Sequence, residues 1–151
     1  MFWFRKHLTH LVLVLVLTPA GLNAAEISGD WRTIDDETGR AKSIVRITET
    51  AEGTLQGRVV EILHSDRGPD PLCEECPGER RGQPIRGMII LWDLEAGDPG
   101  EWIGGRILDP TRGKVYRARL RLQEDGRLEV RGYLGISLLG RSQVWQRADA
   151  G

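Results

Sequence analysis

The chain has 151 residues, the length of one domain, and carries 21 Lys and Arg against 22 Asp and Glu for a formal net charge of −1. That near-balance lacks the basic footprint of a general nucleic-acid binder, so no nucleic-acid partner is expected. With only two cysteines, the chain is not a scaffold held by many disulfides.

The N-terminus comes first. Arg5 and Lys6 precede an apolar run at residues 11–17, followed by Pro19, Gly21, Ala24 and Ala25. A basic head, a short apolar middle and a small-residue exit predict a secretory signal peptide over residues 1–25, cleaved after Ala24 or Ala25. Leu22 and Asn23 fit poorly three positions before the cut, and an uncleaved amphipathic anchor is the alternative. The run is shorter than the roughly 20 apolar residues a membrane-crossing helix needs, so the mature form is expected not to span a bilayer. Losing residues 1–25 removes Arg5 and Lys6 and takes the formal charge to −3. The expected location is the periplasm, an oxidising compartment that favours paired cysteines.

Residues 26–151 then form one domain. Gly29-Asp30-Trp31 heads a short strand, and the Asp35-Asp36-Glu37-Thr38-Gly39 cluster is a turn. Residues 43–49 and 54–63 are β-branched, strand-like runs, with Gly57 marking a bulge or a close backbone approach. Residues 64–86 contain Pro69, Pro71, Pro77 and Pro84 with Gly68, Gly78 and Gly82, which predicts a long loop with little room for helix or ladder. Strands resume at 88–94 and at 102–108, the latter interrupted by a Gly104-Gly105 bulge. Asp109-Pro110-Thr111-Arg112-Gly113 is a turn. In residues 114–122, Tyr116, Ala118, Leu120 and Leu122 alternate with Arg117, Arg119 and Arg121, the pattern of a half-buried strand. Asp125-Gly126 is a hairpin signal; Leu128 and Val130 continue the inward face, and residues 142–147 close the domain. About eight strands at short spacing, without a convincing amphipathic helix, predict an all-β, single-domain antiparallel meander barrel.

An ordered set of phrases is specific beyond this pattern: Gly29-x-Trp31, Cys73-x-x-Cys76, Gln83-Pro84-Ile85-x-Gly87, Trp102-x-x-Gly105, Asp109-Pro110-x-x-Gly113-Lys114-x-Tyr116, Arg131-Gly132-Tyr133-x-Gly135 and Gly140-Arg141-x-Gln143-x-Trp145-x-Arg147. Together they resemble the exported bacterial proteins grouped as domain-of-unknown-function family number twenty-one forty-seven. The resemblance covers essentially all of residues 26–151. It implies a lipocalin-like β-barrel in the bacterial envelope and brings no catalytic residues. Lipocalin-like folds also place Gly-x-Trp on the first strand and an Arg at the end of the last, which implies that Trp31 and Arg147 meet at the barrel closure.

Candidate chemistry is sparse. Cys73-Glu74-Glu75-Cys76 permits a disulfide pinning the 64–86 loop, a metal site recruiting His64, Asp66 or Asp70, or a redox pair. Pro71, Pro77 and the two glutamates work against the redox reading, and no second Cys pair supports the metal one. His64 is the only histidine of residues 26–151, and Ser65 or Ser137 could be imagined beside it, but no nucleophile-elbow phrase exists. No catalytic residue, metal ligand or cofactor is therefore expected. Arg117, Arg119 and Arg121 are a candidate anion-binding stripe or an ordinary solvated face, with Glu129 one acid available to neutralise it. Trp92, Trp102, Tyr116, Tyr133 and Trp145 are candidate pocket-lining residues or the packed core itself. Three functions fit: a barrel holding a small hydrophobic or lipid ligand, a filled barrel contacting an envelope protein partner, or a thiol- or metal-dependent activity at the cysteine loop. Whether the barrel interior is empty or full separates the first two.

Overall fold

The computed structural model describes residues 22–149. The predicted signal peptide falls largely outside them. The described residues open with a short helix, α1 (Leu22–Ile27), followed by β1 (Gly29–Ile34), β2 (Ala41–Glu49), β3 (Leu55–Ile62), β4 (Ile89–Ala96), β5 (Glu101–Asp109), β6 (Lys114–Leu122), β7 (Leu128–Tyr133) and β8 (Gly140–Arg147). Every strand pairs antiparallel with its neighbours in sequence, and β8 returns to β1 through Trp31↔Arg147 and Arg32↔Gln146, closing the barrel. Closure satisfies the ladder groups that an open sheet would leave at its edges.

The sequence places the bends. Gly57 sits where the β3–β4 register shifts, and a Cβ there would lie 3.0 Å from Leu91 and Val45. At Gly105 a Cβ would lie 2.5 Å from the Leu94 side chain, so only glycine lets β5 fold against β4 at its bulge. The β6 alternation persists in space: Ala118 and Leu120 are buried while Arg117 and Arg121 are exposed.

One pole holds α1, the β2–β3, β4–β5 and β6–β7 turns and the end of β8. The helix is an addition to the expected all-strand pattern. It packs Ile27, fully buried, under the barrel, and the Ile27 carbonyl accepts the indole N–H of Trp31 at 2.8 Å. The other pole carries the β1–β2, β3–β4, β5–β6 and β7–β8 connections and forms the rim.

Candidate functional site

The 64–86 loop is more ordered than its prolines suggest. Cys73 and Cys76 form a disulfide and are both fully buried. Cys73 N–H donates to the Gln83 carbonyl at 2.8 Å and Gly82 N–H to the Cys73 carbonyl at 2.9 Å, so the loop folds back on itself and carries a 3-10 turn at Gly78–Arg80. It is clamped onto the barrel from outside. Cys73 Sγ lies 3.3 Å from the Pro110 carbonyl oxygen. Gly113 presses so closely on the Glu75 carbonyl that a Cβ would be 1.8 Å from it. Leu108 points away from the interior yet is 1% exposed, in keeping with a loop laid over the outer end of β5.

With both sulfurs buried and bonded, the loop presents no thiol at its surface. Among the described residues no three His, Cys, Asp or Glu side chains gather as a metal set. His64 is exposed, with Nε2 3.4 Å from Asp66 and 3.5 Å from Arg40. The Ser65 hydroxyl accepts the Arg67 N–H at 3.1 Å rather than a contact from His64.

At the α1 pole, the Arg147 guanidinium lies 4.1 Å from the centroid of the Trp31 ring. It donates to the Ser28 carbonyl at 2.8 Å and to the Glu26 carbonyl. Beside it, Arg46 grips Asp30 through two hydrogen bonds of 2.7 and 2.8 Å. That hydrogen-bonded guanidinium holds the Asp30 carboxyl below its ordinary range. This is a plug: its polar groups are consumed by one another.

The interior is full through its α1 half. Trp31, Trp102 and Trp145 are 0%, 2% and 2% exposed, and Val45, Leu91, Leu94, Leu120 and Leu128 around them have essentially no accessible surface. A lumen ready to admit a ligand would leave accessible surface on the side chains lining it. The five aromatic candidates divide accordingly. Trp102 and Trp145 face inward as core, with the Trp145 N–H donating to Gln143 at 3.1 Å. Tyr116 shares the inward phase of Ala118 near the rim and is half-buried. Trp92 and Tyr133 do not line the interior, a correction to their candidacy. Trp92 follows inward Leu91 on β4 and stands on the outer wall, where Arg80 of the loop covers its ring at 4.5 Å; Asp93, with φ of 57°, then returns Leu94 inward. Tyr133 lies opposite outward Arg117.

The exposed apolar chemistry lies on the rim. In the β7–β8 connection Leu134, Ile136, Leu138 and Leu139 are 61%, 60%, 84% and 75% exposed. At its foot Arg141 of β8 holds Asp36 through two hydrogen bonds of 2.6 Å and reaches Glu37 at 3.3 Å. Asp36 is lowered by the Arg141 hydrogen bond, and Asp35 is lowered to about 2, chiefly by the Thr38 N–H and then the Thr38 hydroxyl.

The arginine stripe of β6 is not uniform. Arg121 faces Glu129 across β7 and lies 3.6 Å from Glu101 of β5. Arg117 faces Arg106 on one side and Tyr133 on the other, and Arg119 faces Arg131. One of the three stripe arginines, Arg121, stands against acids, and the other two face no acid on the neighbouring strands.

Two comparisons bear on what these features belong to. A family model described as "Uncharacterized protein conserved in bacteria (DUF2147)" matches residues 29–147, from the first residue of β1 to the last of β8. The chain belongs to this family. Its fold is lipocalin-like: the solved structure of protein HP1028 from Helicobacter pylori, described as belonging to the lipocalin family, superposes with a TM-score of 0.70 at 20% identity over 82% of this chain and 83% of that one. A comparison with curated proteins returned no match. The family limits correspond to the closed barrel itself, with Trp31 and Arg147 paired where its two ends meet. Ile136, Leu138 and Leu139 are legible in the sequence as apolar residues in the connection to the last strand, either a cap on one end of the barrel or an entrance, but sequence reasoning does not show that they project. It also missed Arg106, whose partnership with Arg117 depends on the β5–β6 register.

Proposed function

We propose that this DUF2147 protein is an exported, periplasmic binding protein whose filled lipocalin-like barrel is a scaffold and whose working surface is the rim loop at residues 134–139. One observation carries the reading: four large apolar side chains are exposed together on a single loop, above a barrel whose α1 half is filled by buried tryptophans and leucines. Exposed apolar patches of this kind mark interaction sites. The rim reading takes an apolar or lipid-like envelope component as the partner. Hydrogen exchange of the protein with and without neutral lysophospholipid micelles tests it. Protection confined to residues 134–139 is the expected result; protection spread over the barrel, or none, counts against it.

A small hydrophobic ligand held inside the barrel is the second reading, favoured by the lipocalin-like fold and by half-buried Ile107 and Tyr116 near the rim. It requires Trp102 or Trp145 to move, so a fatty-acid analogue that shifts tryptophan emission would support it. Native mass spectrometry of protein recovered from the periplasm distinguishes the two by whether an apolar molecule is retained within the barrel.

A further inference from the structure

We propose that the rim loop and the outer wall of β5–β7 together form a docking face for an anionic phospholipid bilayer; the inference rests on the rim reading above and names its partner.

The wall is cationic by construction. Arg106 lies between Trp92 and Arg117 on its neighbouring strands, Arg117 between Arg106 and Tyr133, and Arg131 between Arg119 and Ser142. None of these neighbours is an acid. All four arginines take the outward phase, because Gly105, Ala118 and Gly132 between them face the interior. Among the described residues no carboxylate lies within ion-pair distance of Arg106, Arg117 or Arg119. Like charges directly opposite one another destabilise a sheet. The same strands do use acids further down, where Glu101 lies 3.6 Å from Arg121 and Glu129 stands opposite it on β7. Next to the rim, the ladder positions facing Arg106 and Arg117 hold no acid, and the 64–86 loop with Glu74, Glu75 and Glu79 borders them on the β4 side, where Arg80 covers Trp92.

The apolar tip is continuous with that wall. Tyr133 stands beside Arg117 and runs directly into Leu134. Arg131 ties the two together, donating to the Ser142 hydroxyl at 2.9 Å and to the Leu138 carbonyl at 3.5 Å. The result is a protruding apolar turn, a tyrosine at its base and a row of guanidinium groups behind it. A deformable acyl layer receives a protruding apolar turn without a preformed pocket. Head-group phosphates accept guanidinium hydrogen bonds, and tyrosine favours the interface between the two. Arg141 at the foot of the loop neutralises Asp36, reducing the repulsion an anionic surface would meet there.

The test is co-sedimentation of the full chain with vesicles of phosphatidylglycerol and phosphatidylethanolamine, and separately of phosphatidylcholine. Two double variants accompany it: Leu138→Asn with Leu139→Asn, and Arg106→Gln with Arg117→Gln. All forms share the N-terminal segment, so its own membrane affinity cancels. The near-ultraviolet signal of the buried tryptophans reports folding. The expected result is tighter binding to the anionic vesicles that weakens with salt. The arginine pair should lose binding by about fivefold per residue, and the leucine pair by at least as much. Equal binding to both vesicle types, no binding, or indifference to both variants overturns the inference. Protection of 134–139 by neutral micelles without preference for anionic vesicles leaves the rim reading standing and removes this one. Absence of both removes both. Loss of an envelope protein partner from the leucine variant, with no vesicle binding, assigns the face to protein and overturns the bilayer.

Discussion

The guanidinium of Arg147, the last residue of β8, lies 4.1 Å above the indole of Trp31, the residue it pairs with on β1. The two ends of the barrel are thus fastened by a side-chain contact at the same register position as their ladder. The fork also reaches the carbonyls of Ser28 and Glu26, and both residues lie beyond the expected cleavage after Ala24 or Ala25. Removal of the contact leaves an indole face and two carbonyls without their donor. Arg147→Met should therefore lower stability by about 2–3 kcal/mol, and Arg147→Lys by less because a cation is retained. Denaturant unfolding measures both; an unchanged midpoint for Arg147→Met would show the contact to be incidental.

The disulfide and Gly113 hold the same loop by different means, and their loss should differ. Reducing Cys73–Cys76 opens a very short covalent loop, worth about 2 kcal/mol in the chain-entropy account. The barrel should remain folded while exchange rises across residues 64–86. Gly113→Ala, at φ of 64°, drives a methyl into the Glu75 carbonyl and should detach the loop from the β5–β6 turn even with the disulfide intact. Gly126→Ala is the control: its φ is 80° with nothing near its Cβ, so it should cost only about 1 kcal/mol and leave the loop in place. Equal exchange in the two alanine variants would argue against the clamp.

The acid limb of stability should run through the carboxylates of the barrel ends. Asp35 is lowered to about 2, first by the Thr38 N–H, and Asp30 and Asp36 are lowered by hydrogen bonds from Arg46 and Arg141. Groups whose folded pKa is depressed contribute stability above their unfolded pKa and lose it as pH falls through the folded value. For Asp35 that window runs from the ordinary 3.8 down to about 2. Stability should therefore fall across this interval, and Asp35→Asn combined with Asp36→Asn should flatten the fall. Thermal melts across that range, compared between the two proteins, read the effect.

How much of this was legible beforehand follows from which interactions are local. The strand order, the bulges at Gly57 and Gly104-Gly105 and the inward phase of Ala118 and Leu120 come from alternation and turn chemistry, which short windows carry. The Trp31–Arg147 contact came only from resemblance, because the two lie at opposite ends of the domain. Trp92 was misplaced among the candidate interior residues because the bulge at Asp93 switches strand phase, and alternation cannot be counted through a bulge. The arginine wall was half seen. Arg117 and Arg119 stand out along one strand, but their neutralisation is decided by the strands beside them. Glu129 suggests a neutral face and does stand opposite Arg121, whose ion pair is with Glu101, whereas Arg106 and Arg131 oppose the rest.

The filled interior makes its own prediction. Trp102 and Trp145 come from β5 and β8 and are both buried in the one core, so neither can be lost without leaving space. Trp145→Ala should cost about 3–5 kcal/mol, since the surrounding strands are tied into a closed ladder and can collapse only in part. It also frees the Gln143 side chain from its indole partner. If the barrel survives, the cavity should admit an apolar guest, and a fluorescent fatty-acid analogue should bind the variant while failing to enter the wild-type barrel. Trp92→Ala, on the outer wall under Arg80, should open no such space. A wild-type barrel that takes up the analogue as readily as Trp145→Ala would mean that the tryptophans move aside to admit a guest. The interior would then be a binding site whose closed state has Trp102 and Trp145 buried, and the rim would be its entrance.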